Sequence, residues 1–197
     1  MRGPRWSVLF LGAIIVALLF SYPLWRGLLS SRSLQRPFAL ASEAQREVLL
    51  KEDNRDMAAT AYVAMLTPVP APTGIATLPG IDASLSGSFT EIDAVHRATG
   101  SVRIYRLSED RLILRLENGF EVTNAPGLAI YLSGAEAPKS IAELTTSSVT
   151  AYPVGSLVGS TGDQQFDIPA QLRLERYRTV VIVSEPLNKI YSIAPIS

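Results

Sequence analysis

The chain has 197 residues, 47% apolar and 18% charged, with 18 basic and 18 acidic side chains that cancel. It carries no cysteine and one histidine, which excludes disulfides, thiolate metal sites, iron–sulfur clusters and cysteine nucleophiles. Residues 86–197 hold ten basic and twelve acidic side chains with no basic stripe, so nucleic acid is not an expected partner.

A five-residue tail leads into WSVLFLGAIIVALLFSYPLW, Trp6 to Trp25, which has no charge and is flanked by Arg2, Arg5 and Arg26. Twenty residues at a helical rise span a hydrocarbon core of about 30 Å. Trp6, Tyr22 and Trp25 stand where interfacial aromatics belong, and Pro23 suits a helix end. The segment is read as an uncleaved signal anchor. The competing reading is a cleaved signal peptide with an apolar region from Val8 to Phe20. An A-x-A pattern, Ala39-Leu40-Ala41, lies about twenty residues beyond that region, too far for an ordinary cleavage site. Arginines flank the segment almost evenly, so charge does not set its orientation.

Residues 26–66 form the juxtamembrane part. From Ser42 to Leu66 there is no Gly or Pro, and Ser42 with Gln45 fits a capping box, with Glu43 in the first turn. This predicts a solvated helix over 42–66. Residues 67–85 then bring Pro68, Pro70, Pro72 and Pro79 with Gly74 and Gly80, which cannot propagate a helix or a central strand. They read as a semi-rigid linker and domain boundary.

Strand patterns follow over 86–197. SVRIYRL sets Val102 and Ile104 against Arg103 and Tyr105. After the LSEDR turn, RLILRL puts Leu112, Leu114 and Leu116 on one face and Arg111, Ile113 and Arg115 on the other. That predicts a hairpin with one buried face. LAIYLS, YPVGSLVG, QQFDIP, TVVIVS and KIYSIAP continue the series. The fold class is therefore all-β, an antiparallel β-sandwich or barrel-like domain, preceded by the membrane helix, the juxtamembrane helix and the linker. The run Val180 to Val183 has the character of a fully buried strand, and it stops at Ser184 before Glu185-Pro186.

Little in this region carries chemistry. His96, the sole imidazole, reads as an exposed turn residue, without the companions of a metal site. No G-x-S-x-G surrounds any serine. Glu91, Asp93, Glu117, Glu121, Asp163 and Asp167 read as solvated charges near strand ends. GSLVGSTGDQQ lacks the lysine of a phosphate-cradling loop. No catalytic residue, metal site or cofactor is assigned.

Four ordered blocks, GSFTEIDAVHRATGSVRIYRL, LRLENGFEVTNAPGLAIYLS, VGSLVGSTGDQQFDIP and YRTVVIVSEPLNKIYSIAPI, resemble the DM-13 domain, a small β-rich module of extracytoplasmic proteins. The resemblance covers residues 86–197 and singles out His96, Asn124, Pro126 and Ser184. The family's closing strand commonly ends Trp-Cys, where this chain has Val183-Ser184, and its proposed electron-transfer role leans on that cysteine. A serine hydroxyl reaches no disulfide, thiolate or sulfenic state, so Ser184 reads as a structural stand-in. The family's Asn-Gly-Pro-Asp turn is Asn124-Ala125-Pro126-Gly127 here, and Gly119 is an insertion that suggests a bulge. The resemblance implies a domain displayed outside the cytoplasm on a single-pass anchor in the cell membrane. Its partners would be the membrane and an extracytoplasmic protein or ligand. The expected role is a non-enzymatic interaction or accessory module; the alternative is a redox accessory with a bound cofactor.

Overall fold

The computed structural model describes residues 41–51, 68–72, 78, 81–144 and 149–197. The Trp6–Trp25 stretch and residues 52–66 of the expected helix lie outside the described residues. Among the described residues no helix is long and apolar enough to cross a membrane. The expected capping box is present at the start of α1 (Glu43–Leu50). Gln45 N–H donates to Ser42 Oγ at 3.3 Å, and Ser42 N–H donates to Gln45 Oε1 at 3.0 Å.

Eight strands follow among the described residues: β1 (Ala83–Ser88), β2 (Ala98–Ser108), β3 (Arg111–Val122), β4 (Leu128–Ser133), β5 (Ala151–Ser156), β6 (Gln164–Ile168), β7 (Thr179–Ser184) and β8 (Lys189–Pro195). They pair antiparallel in two four-stranded sheets, ordered β1-β2-β3-β6 and β5-β4-β7-β8. The expected all-β class with two antiparallel sheets is observed. Because β1 starts at Ala83, the last three residues of the compositional linker belong to a sheet.

Alternation along the strands builds the core. Val102 and Ile104 of β2, Leu112, Leu114 and Leu116 of β3, Leu128, Ile130 and Leu132 of β4, and Val180 and Ile182 of β7 meet between the sheets. Each such side chain is worth about 1.5–3 kcal/mol when fully buried. The odd residues of β7 are covered too: Val181 and Val183 pack with Ala129, Ile190 and Leu144 of the short helix α2 (Ile141–Leu144). A strand covered on both faces needs no polar alternation, which accounts for the continuous TVVIVS run.

The β2–β3 hairpin corrects the expectation of one buried face. Ile113 is wholly buried, and Tyr105 and Arg115 are 5% and 4% exposed on the side read as solvated. The bulge expected at Gly119 is present. Between the pairs Ser101↔Glu117 and Thr99↔Glu121, three residues of β3 oppose Gly100 alone. Asn118, Gly119 and Gly100 take φ of 58°, 70° and 92°, conformations that a Cβ disfavours and that glycine and asparagine adopt most readily. Asn118 Nδ2 donates to Ser101 Oγ at 2.6 Å, and Phe120 turns inward against Phe89, with ring centroids 5.5 Å apart.

The two glycines of the bulge should respond differently to alanine. A Cβ on Gly119 meets nothing within 4 Å, so Gly119→Ala carries only the left-handed strain, about 1–2 kcal/mol. A Cβ on Gly100 would lie 2.7 Å from Phe120 Cα and 2.8 Å from Glu117 O, so Gly100→Ala should lose clearly more. Denaturant titration of the two variants checks the order; equal losses would contradict this account of the bulge.

Candidate functional site

Ser184 ends β7 and pairs with Leu128 at the start of β4 and Lys189 at the start of β8. By strand alternation it takes the third inward place after Val180 and Ile182. It has no solvent exposure, and its Oγ donates to the Pro126 carbonyl at 2.6 Å. The strand stops there because Glu185-Pro186-Leu187-Asn188 turn the chain back. Asn188 N–H donates to Glu185 O at 3.0 Å, and Asn188 has a φ of 52°. The same turn explains Gly127: a Cβ there would lie 2.7 Å from Pro186 Cδ, so no aspartate fits at 127 while proline occupies 186.

His96 corrects the expectation of an exposed turn residue, for it is only 7% exposed. Asp93 organises its turn. One carboxylate oxygen accepts from Val95 N–H at 2.8 Å and His96 N–H at 2.7 Å; the other lies 2.8 Å from His96 Nδ1. The ring meets Tyr191 edge-on, centroids 4.9 Å apart. Burial pushes the Asp93 carboxyl upward, but the His96 backbone N–H, the His96 ring and the Val95 N–H outweigh it. They hold the group below its ordinary value of 3.8. Main-chain bonds tie the loop down on both sides. Thr90 N–H donates to Ile193 O, Ser192 Oγ donates to Thr90 O, and Thr123 N–H donates to Arg97 O.

Asn124 and Pro126 lie in the connection from β3 to β4. Asn124 lines an open groove of about 370 Å³ with Glu91, Arg97, Thr99, Glu121 and Ser160, with Gln45 and Pro68 on its wall. The structure thus joins Pro126 to Ser184, puts Asn124 in the groove and bonds His96 to Asp93. His96 and Ser184 share no hydrogen bond, so no imidazole activates the serine hydroxyl.

Two polar clusters escaped the sequence reading. Glu117, read as solvated, has a side chain only 13% exposed. It accepts from Tyr105 OH at 3.1 Å, with Arg115 Nε at 3.1 Å and Arg103 Nη1 at 3.7 Å. Arg103 and Arg115 are direct cross-strand partners on one face. Two like charges opposite each other require a carboxylate close by, and once the register was set Glu117 was the nearest candidate. The second cluster is Tyr131 OH donating to Glu185 Oε1. This bond, then burial and the carboxylate charge, raise the tyrosine above its ordinary value of 10.0. Asp167 is solvated as expected, with a side chain 72% exposed.

A two-sheet antiparallel domain with these loops at one end is the class the geometry defines. Residues 88–196 match the family described as Electron transfer DM13, and the chain belongs to it. No curated protein and no solved structure matches the chain. Thiolate ligation of a redox centre is closed to this chain. There is no thiol, the sole imidazole is buried with its Nδ1 on Asp93, and Ser184 is spent on Pro126. Among the described residues no three His, Asp or Glu side chains converge as a ligand set. The residues present do not fit a thiolate-held centre.

Ser184→Ala should cost about 0.5–1.5 kcal/mol, the worth of one hydrogen bond, and a fluorophosphonate should not label the native chain. Labelling at Ser184 that requires the fold would contradict its packing role. Asp93 yields a pH signature. A carboxyl depressed in the folded state adds stability above its unfolded value and loses it as pH falls. Thermal midpoints of wild type should therefore drop more steeply than those of Asp93→Asn as the pH falls below about 4. Parallel profiles would contradict the assignment.

Proposed function

We propose that this protein is a single-pass membrane protein. Trp6–Trp25 is the uncleaved anchor, the N-terminus lies inside, and the DM13 domain is held outside the cytoplasm as a non-enzymatic interaction or accessory module. The observation that carries the non-enzymatic reading is Ser184, a buried hydroxyl committed to a backbone carbonyl where the resemblance puts the family's cysteine. The groove lined by Asn124 supports a binding role, since its volume of about 370 Å³ falls in the range of small-ligand clefts. The anchor rests on the length, neutrality and flanking aromatics of the segment. The family description favours one second reading, a redox accessory whose bound cofactor supplies the centre.

An absorption spectrum separates the two. The full chain, purified in detergent from cells supplied with haem and flavin, should show protein bands alone; a stoichiometric chromophore would favour the second reading. Topology has its own test, which the lack of native cysteine makes clean. Asp110→Cys, in the exposed β2–β3 turn, should react with a membrane-impermeant maleimide on intact cells. Reaction only after lysis would reverse the orientation.

A further inference from the structure

Part of the proline-rich segment lies along the domain. Pro70 forms a parallel bridge with Thr161, and Ala71 N–H donates to Thr161 O at 2.7 Å. Val69 O accepts from Ser160 N–H at 2.7 Å and Thr161 N–H at 3.2 Å, while Val69 N–H donates to Ser160 Oγ at 2.9 Å. Every one of these bonds uses a residue between prolines. In an extended chain successive N–H groups face opposite sides, so Pro68, Pro70 and Pro72 occupy the positions whose donors would face away. The Pro-x-Pro-x-Pro spacing leaves no unpaired donor on the outer edge, which weakens it as a template for another strand.

The 158–162 loop is built to receive this segment. Buried Gln164 holds it from β6: its Oε1 accepts from Val158 N–H at 2.9 Å and its Nε2 donates to Gly159 O at 2.8 Å. From β3, Val122 N–H donates to Ser160 O, and Phe120 O accepts from Gly162 N–H. A Cβ on Gly159 would lie 2.5 Å from Ala71 N and 2.6 Å from Val69 O, so only glycine lets the segment in. Ala71 is 8% exposed and lies beside Gly162, whereas Val69 is 45% exposed. The slot therefore demands a small residue at the second x and tolerates variety at the first. Its framework lies within the family match at 88–196, whereas its occupant precedes that match.

We infer that the 158–162 loop is a recognition slot for extended Pro-x-Pro-small-Pro peptides, filled in this chain by its own residues 68–72. The slot is the same whether or not the domain binds a cofactor or sits on a membrane. A tethered occupant has an effective concentration on the order of millimolar, so a peptide presented from outside competes only when the tethered segment is released.

Ala71→Pro in the full chain deletes the donor to Thr161 O and sets a ring against Gly159, which should free the slot. A fluorescent peptide of residues 67–74, TPVPAPTG, should then bind saturably by anisotropy. Wild type should bind it at least tenfold more weakly, and Ala71→Pro combined with Gly159→Ala should not bind it. No binding by Ala71→Pro, equal binding by wild type, or binding by the double variant overturns the inference. Hydrogen exchange reads the tethered segment directly. Gly159→Ala alone should remove protection from the Val69 and Ala71 amides while Ile104 and Val181 keep theirs. Retained protection at Val69 and Ala71 overturns the inference. So does loss that spreads to Ile104 and Val181, because the segment would then belong to the global fold.

Discussion

A hydroxyl without access to water must find its partner inside the protein, and at the end of β7 that partner is the Pro126 carbonyl. The bond joins the last inward residue of the most buried strand to the connection that feeds β4. The Glu185–Asn188 turn then folds over that connection, with Pro186 seated against Gly127. Ser184, Gly127 and Pro186 are thus one packing solution. At the position that the family resemblance associates with a thiol, the chain therefore carries a hydroxyl that reaches no disulfide, thiolate or sulfenic state.

An open groove is lined by the connection that leads into this packed corner. The groove takes Asn124 from the β3–β4 connection and Glu91 and Arg97 from the loop that Asp93 shapes. Ser160 and Pro68 complete its wall, and both also belong to the slot and its proline-rich occupant. Groove and slot therefore share a side, and release of residues 68–72 would change both.

Much of the fold was legible from period and punctuation. Alternating Val102/Ile104 and Leu112/Leu114/Leu116, the unbroken TVVIVS run and the Ser42/Gln45 box all act through neighbours in sequence, whereas the Gly119 bulge was read from the family resemblance. The failures share a different cause. His96 is buried because Tyr191, 95 positions away in the chain, meets its ring edge, and only Asp93, three residues earlier, gave a local hint of an ordered turn. Glu117 is sequestered by cross-strand partners that appear once the register is known. The prolines at 68, 70 and 72 announced an end to regular structure, yet the residues between them bond to a loop about ninety positions away. Composition reads backbone preference, and it has no access to which distant surface supplies the partners.

Film voltammetry of the full wild-type chain, purified without added cofactor, tests the central claim most directly. Biological iron–sulfur centres, as a yardstick, span roughly −700 to +450 mV. With Ser184 locked on Pro126 and no thiol in the chain, the protein should give no reversible wave in that window. A stoichiometric, reversible wave carried by the folded domain would contradict the account.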